Sequence, residues 1–272
     1  MCLILIAYDT QPGYRLILAA NRDEFYLRPT APLATWADAP KVYGGRDIEA
    51  GGTWLGVSRT GRLAALTNYR DPARQLPQAP SRGLLISRFL TGDDPAPTYL
   101  QKVTSAARGY NGFNLLAGDR TGLWYFSNRG RDIARLRPGL YGVSNHLIDT
   151  PWPKVSKGKK RLKALLQRSA GWDVEDLFAL LTDRVVAPDG DLPDTGVGLA
   201  WERTLSPLFI TSPNYGTRSS TVLLIETSGT VTFAERTFTV ENPSGETRTD
   251  TRRERFRISP WPSTAASDPT AP

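Results

Sequence analysis

Apolar residues along this chain fall into short runs of strand length, separated by turn residues and broken by two intervals of helical spacing. Residues 3–8 form the first run. Asp9-Thr10-Gln11-Pro12-Gly13 interrupts it, and residues 14–20 form the second, which predicts a β-hairpin with its loop at 9–13. The second run ends in the charged tetrapeptide Asn21-Arg22-Asp23-Glu24, returned by the hairpin to the start of the chain. Residues 28–40 are Pro-rich and read as a loop region containing Trp36. Gly44-Gly45 and Gly51-Gly52 read as tight turns bracketing a further loop. A second hairpin is expected over 54–58 and 62–68, followed by an exposed loop to Pro80.

Residues 81–90 and 96–107 have the apolar spacing of helices, the first with Ser81 as its cap. Strands return at 113–117 and 123–127, then at 140–144. Helical spacing recurs at 157–168 and 174–184, a Gly/Pro/Asp loop covers 185–200, and 207–211 reads as a short strand. Residues 218–226 and 230–239 form the last hairpin, and the chain from Ser259 on has the composition of an unstructured tail. Strands in hairpins with helix pairs inserted between them imply an α+β fold of mostly antiparallel sheets, two packed face to face with helices outside. No linker divides the chain, so one domain is expected over residues 1–258, with a tail at 259–272.

Composition narrows the function. The chain has 272 residues, 40% of them apolar and 22% charged, as in a soluble globular protein. A lone cysteine excludes an internal disulfide. No basic segment precedes the first short apolar run, and none approaches the roughly 18 residues that cross a bilayer. A cytoplasmic protein without a membrane span is expected. The net charge of +7 is spread out, densest at 154–163 and 252–257. No nucleic-acid module accompanies it, so these runs are read as solvated basic faces. A single histidine rules out a multi-histidine metal site, no Cys/His cluster offers a zinc site, and the glycine pairs lack the lysine of a phosphate loop.

The candidate chemistry starts at Cys2. Removal of Met1, usual ahead of a small side chain, leaves a thiol and a free α-amine on one residue. That amine has an ordinary pKa of about 7.7–8.0, so it serves as a base near neutrality. Asp23 is placed to hold or orient the amine, Arg22 to lower the thiol pKa or bind a carboxylate, and Glu24 to pair with Arg22. Strand alternation puts Arg22 and Asp23 on opposite faces, so Arg22 is expected away from the site that Asp23 faces. Asn68 and Asn145 each end an apolar strand, where an amide can donate to an oxyanion. Arg218 opens the last hairpin and is a candidate anion ligand.

Met1-Cys2-Leu3-Ile4, Asn21-Arg22-Asp23-Glu24, Gly51-Gly52-Thr53-Trp54-Leu55-Gly56, Thr67-Asn68-Tyr69-Arg70, Gly142-Val143-Ser144-Asn145 and Gly216-Thr217-Arg218-Ser219-Ser220-Thr221 together resemble the signatures of the NRDE family, or transport and Golgi organisation family. The resemblance implies a four-layer αββα sandwich like that of the N-terminal-nucleophile (Ntn) hydrolases, distantly similar to the cysteine amidases. It implies Cys2 as nucleophile, Asp23 as partner of the amine, Asn68 and Asn145 as oxyanion or amine ligands, and Arg218 as a late site arginine. Arg22, Glu24, Trp54, Tyr69 and His146 form the expected substrate-facing set. The reaction implied is cleavage of a small amide through a thioester, with no cofactor. A second reading makes the cleft a non-catalytic carrier for haem or an acyl chain such as acyl-coenzyme A, with His146 or Cys2 as axial ligand.

Overall fold

A computed structural model describes residues 2–130, 132–240 and 247–262. Its strands form two antiparallel sheets. In one, β1 (Cys2–Gln11) and β2 (Tyr14–Phe25) lie between β10 (Gly139–Val143) and the strands β11 (Tyr215–Glu226), β12 (Thr230–Val240) and β13 (Thr247–Arg257), in the order β10-β1-β2-β11-β12-β13. The other runs in sequence order through β3 (Thr30–Trp36), β4 (Ala39–Asp47), β5 (Leu55–Ser58), β6 (Leu63–Asn68), β7 (Phe113–Asp119), β8 (Gly122–Ser127) and β9 (Ala134–Arg135). Helices α1 (Gly83–Thr91) and α2 (Ala96–Ala106) cover the second sheet, and α3 (Pro153–Leu166) and α4 (Val174–Leu181) cover the first. The expected αββα order is present.

The continuous apolar runs follow from this layering. Ile4, Ile6, Tyr8, Leu16 and Leu18 face Tyr43, Val57, Leu63 and Leu116 of the opposite sheet. Their neighbours Leu3, Leu5, Ala7 and Ile17 face Val155 and Leu162 of α3 and Phe178 of α4. Ala64, Leu66 and Leu115 meet Ile86 and Phe89 of α1 and Leu100 and Val103 of α2. A strand covered on both faces needs an apolar residue at every position, which removes the alternation of a half-exposed strand.

Several expectations change. The 28–40 region is not a loop: it forms β3 and the first two residues of β4, and the two strands pair with a register shift between Ala31 and Ala34. β3 is an edge strand, where a proline costs no ladder hydrogen bond. Gly44 and Gly45 lie inside β4 rather than in a turn. The tetrapeptide 21–24 does not end β2 but continues it, Asn21 and Arg22 paired with both β1 and β11 and Asp23 and Glu24 with β11. Ser81 makes no side-chain cap; Arg82 precedes the first turn of α1. Residues 207–211 form no strand, only a bridge from Thr211 to Gly216. A short helix α5 (Leu199–Leu205) falls at the end of the expected loop; it buries only Glu202 and Leu205 and so carries no apolar stripe to read.

The chain end departs most. β13 is an edge strand whose polar residues face outwards, with Phe256 its one buried residue. Beyond it, Ile258 and Trp261 enter the layer between the sheets, and Trp261 Nε1 donates to Gly61 O at 2.8 Å. The expected tail at 259–272 thus contains a core residue, Trp261, and residues 263–272 lie outside the described residues. No helix among the described residues is long and apolar enough to cross a membrane.

Trp261 closes one end of the core, so Trp261→Ala is expected to cost about 3–5 kcal/mol, as for other large-to-small core changes. Urea unfolding of the two proteins checks this.

Candidate active site

The hairpin register decides which side chains meet. Cys2 lies directly opposite Arg22 on β1 and β2. Both have the parity of Ile4, Ile6, Leu18 and Ala20, so both face the layer between the sheets. Asn21 and Asp23 have the parity of Ile17 and Ala19 and face the helices. The alternation expected from sequence holds, but its consequence reverses: Arg22 is the residue on the cysteine's face, and Asp23 is the one behind the sheet.

At the polar end of the sandwich, Cys2, Arg22 and Glu24 of the first sheet share the lining of a cavity of about 370 Å³ with Trp54, just ahead of β5, and with Leu66 and Asn68 of β6. Asp23 reaches its edge. Arg28, Asp47, Ser81, Arg82 and Asn111 complete the charged and amide lining. Two glycines shape it. A Cβ on Gly45 would sit 2.3 Å from the Trp54 indole, so glycine there makes room for the ring. Arg22 then lies over that ring, its guanidinium carbon 4.3 Å from the centroid. A Cβ on Gly52 would sit 2.5 Å from the Gly83 carbonyl carbon; this close approach, with Thr53 N donating to Gly83 O at 3.3 Å, brings the start of α1 and Arg82 to the cavity.

Burial pushes the Cys2 thiol above its ordinary range, and the Asp23 carboxylate adds to this, while the Arg22 charge opposes it. At neutral pH the sulfur carries its proton, so a nucleophile must be generated by a base. Asp23 is itself fully buried. Thr217 Oγ1 donates to its Oδ1 at 2.7 Å, Tyr215 OH donates to its backbone oxygen at 3.1 Å, and Lys154 Nζ stands 3.8 Å from Oδ2. Burial raises the Asp23 pKa against the pull of Lys154, and burial lowers that of Lys154 against the pull of Asp23.

Other predicted residues play different parts. Asn21 ties three segments together: its amide donates to Leu181 O and Leu208 O at 3.0 and 2.7 Å and accepts from Ser220 Oγ at 2.6 Å. Asn145 is buried and does not line the cavity. Its Nδ2 donates to Asn68 O at 2.8 Å, and Ser144 Oγ lies 2.9 Å from Cys2 O and 3.1 Å from Asn145 Oδ1, so it braces the backbone behind both cavity residues. Arg218 occupies the bulge between Thr217 and Ser219. Its Nη1 donates to the carbonyls of Phe25, Tyr26 and Arg28, which fixes the exit of β2, and it lines a neighbouring cavity instead. Tyr69 and His146 stack on each other, with centroids 4.8 Å apart, away from the cavity. His146 Nδ1 is 2.8 Å from Thr150 Oγ1. Cys2 and His146 therefore do not share one cleft, and the strongly charged lining at Cys2 is a poor match for haem.

Sequence reasoning passed over Lys154, Thr217 and Arg82. Lys154 was grouped with a solvated basic run, yet it is 2% exposed. Its signal was position: second in a helix opened by Pro153, on the apolar side with Val155 and Leu162.

A family model described as "Transport and Golgi organisation 2" matches residues 1–240. The chain belongs to that family. A bovine transport and Golgi organization protein 2 homolog is 40% identical over 95% of this chain and 99% of its own length, and the human homolog is 40% identical over 92% and 98%. The Drosophila melanogaster protein of this family is 31% identical over 90% of the chain and 95% of its own. Among solved structures, a Caenorhabditis elegans N-acylethanolamine-hydrolyzing acid amidase ortholog aligns with a TM-score of 0.49 at 11% identity, covering 82% of this chain and 92% of that one.

Two outcomes follow for this transport and Golgi organisation family member. Alkylation of Cys2 by iodoacetamide is expected to be slower at pH 7 than that of free cysteine and to accelerate as pH rises, more slowly still in Arg22→Gln; stopped-time mass spectrometry measures it. Lys154→Met removes the charge facing buried Asp23 and is expected to cost about 3–5 kcal/mol at pH 8. A carboxyl whose folded pKa is raised stabilises the fold below its unfolded pKa and loses that contribution as pH rises through the folded value. The deficit of Lys154→Met should therefore shrink towards pH 5, as read by urea melts across pH.

Proposed function

We propose that this protein is a cytoplasmic N-terminal-nucleophile hydrolase that cleaves a small amide C–N bond through a thioester on Cys2. The observation that carries the reading is the pairing of Cys2 with Arg22 on the floor of a charged cavity that Asn68 also lines. The relatives' names give a role in transport and Golgi organisation and no chemistry.

In this reading, removal of Met1 frees the Cys2 α-amine. The thiol is held protonated by burial, and its proton passes to that amine as sulfur attacks the substrate carbonyl carbon. The carbonyl π electrons move to oxygen, where the Asn68 side chain donates to the oxyanion. Collapse expels the leaving amine, which takes the proton from the Cys2 ammonium, and leaves an acyl thioester. The α-amine then draws a proton from water, hydroxide adds to the thioester, and the acid departs as the thiol is restored. Asp23, fixed by Thr217 and Lys154, orients the amine. Arg22 and Arg82 supply positive charge for an anionic substrate group. Glu24 and Trp54 hold Arg22: Glu24 Oε2 is 3.7 Å from Arg22 Nη2, and the indole stacks beneath the guanidinium. Asn145 and Arg218 act on the backbone around the site, and Tyr69 and His146 stand outside it.

The test is intact-mass analysis of the purified chain with a panel of small amides and a β-lactam. Expected are a species lacking Met1 and an acyl adduct on Cys2 that decays in water and is absent from Cys2→Ala. Asn68→Ala is expected to slow acylation by on the order of 10²–10³. Retention of Met1, or no adduct across the panel, overturns the mechanism.

A further inference from the structure

The Arg22–Trp54 stack has a second side. Both residues also line a separate cavity of about 240 Å³, closed by Ser219 and Glu235 within and Arg248 at its mouth. Glu235 has the parity of Val231 and Phe233, so it stands where the apolar inter-sheet layer gives way to polar side chains. It is 2% exposed, with Oε1 accepting from Leu33 N at 2.7 Å. Ser219 lies opposite both Arg22 and Thr237. Its buried hydroxyl stands beside the Glu235 carboxyl, the one side chain it meets, and makes no other hydrogen bond among the described residues. A hydroxyl and a carboxyl, both buried and both lining one cavity with two arginines, have bonding capacity left for a ligand atom.

We infer that this cavity is a binding site for a small anion, a carboxylate or phosphate group, held by Arg22, Ser219 and Arg248, with Glu235 in its protonated form donating to the anion. The charges around Glu235 are Arg22 from β2, Arg218 from β11, and Arg248, Asp250 and Arg252 from β13; β3 presents only the Leu33 N–H, and Trp54 is uncharged. Asp250 is turned towards Arg252, at 3.6 Å, and Arg218 is spent on the carbonyls of residues 25–28. This leaves Arg22 and Arg248 to meet the ligand. Burial raises the Glu235 pKa to about 7, with the Leu33 N–H and Arg22 opposing. An ionised Glu235 repels an anion and a protonated one bonds it, so binding takes up a proton and strengthens as pH falls through 7. Arg22 is common to this cavity and to that of Cys2, so an anion here draws the guanidinium from the cysteine side. The site stands on its own lining and does not depend on turnover at Cys2.

Isothermal titration calorimetry of the full chain with succinate and with inorganic phosphate tests this, and the two probes separate carboxylate from phosphate. At least one is expected to bind on the order of tenfold more tightly at pH 6 than at pH 8.5, with proton uptake, and equally in Cys2→Ala. Glu235→Gln, a permanently neutral donor, is expected to bind at pH 8.5 as the parent does at pH 6. Ser219→Val should weaken binding roughly tenfold. Arg248→Gln, at the exposed mouth, serves where the buried variants do not fold and should weaken binding several-fold. No binding of either probe at pH 6, an unaltered pH dependence in Glu235→Gln, or unchanged affinity in Arg248→Gln each overturns the proposal.

Discussion

Strand β2 is hydrogen-bonded on both edges, by β1 and by β11, and it stays a strand through its four polar residues. That constraint shapes the rest. Paired on both sides, β2 cannot turn its side chains at will. Arg22 and Glu24 are committed to the space between the sheets, and Asn21 and Asp23 to the layer of helices. Each pair must then be satisfied locally, because a polar side chain buried alone costs several kcal/mol. Asn21 is satisfied by the end of α4 and the segment after α5, Asp23 by Thr217 and Lys154, and Arg22 by Trp54 and Glu24. Asp23, which meets Lys154 of α3, also lines the cavity.

The two cavities follow from the same geometry. Apolar side chains fill the inter-sheet layer until the polar residues of β2, β11 and β12 come level, and there the sheets are lined by charge instead of packing. The Arg22–Trp54 stack stands in that gap and divides it. Gly45 is what permits the stack, since any larger residue would occupy the place of the indole. A tetrapeptide that reads as one motif thus works as two pairs, one bracing the fold and one facing solvent-filled space.

Much of the fold was legible. The runs at 3–8 and 14–20, the hairpins at 54–68 and 218–239, and the two helix pairs all announce themselves because each buries enough apolar surface to leave a pattern. The strands that were missed are those that bury little. β3 carries Pro32 on a free edge, and β13 shows water a row of arginines and threonines with Phe256 alone turned in. α5 is too short to show a stripe. Trp261 anchors the core from inside a stretch whose Pro, Ser and Thr composition hides it.

For the site, the sequence by itself determined the nucleophile candidate, the polar close of β2, the asparagine at the end of β6 and the alternation that separates Arg22 from Asp23. These are local properties, set by residue type and by the period of two. Only the tertiary structure decided which face mattered. The pairing of Cys2 with Arg22 comes from the hairpin register, the burial of Lys154 from the docking of α3, and the diversion of Arg218 to three carbonyls from a bulge in β11. The environment of a charge is a sum over segments distant in sequence, so no local pattern distinguishes a lysine facing water from one held 3.8 Å from a buried aspartate.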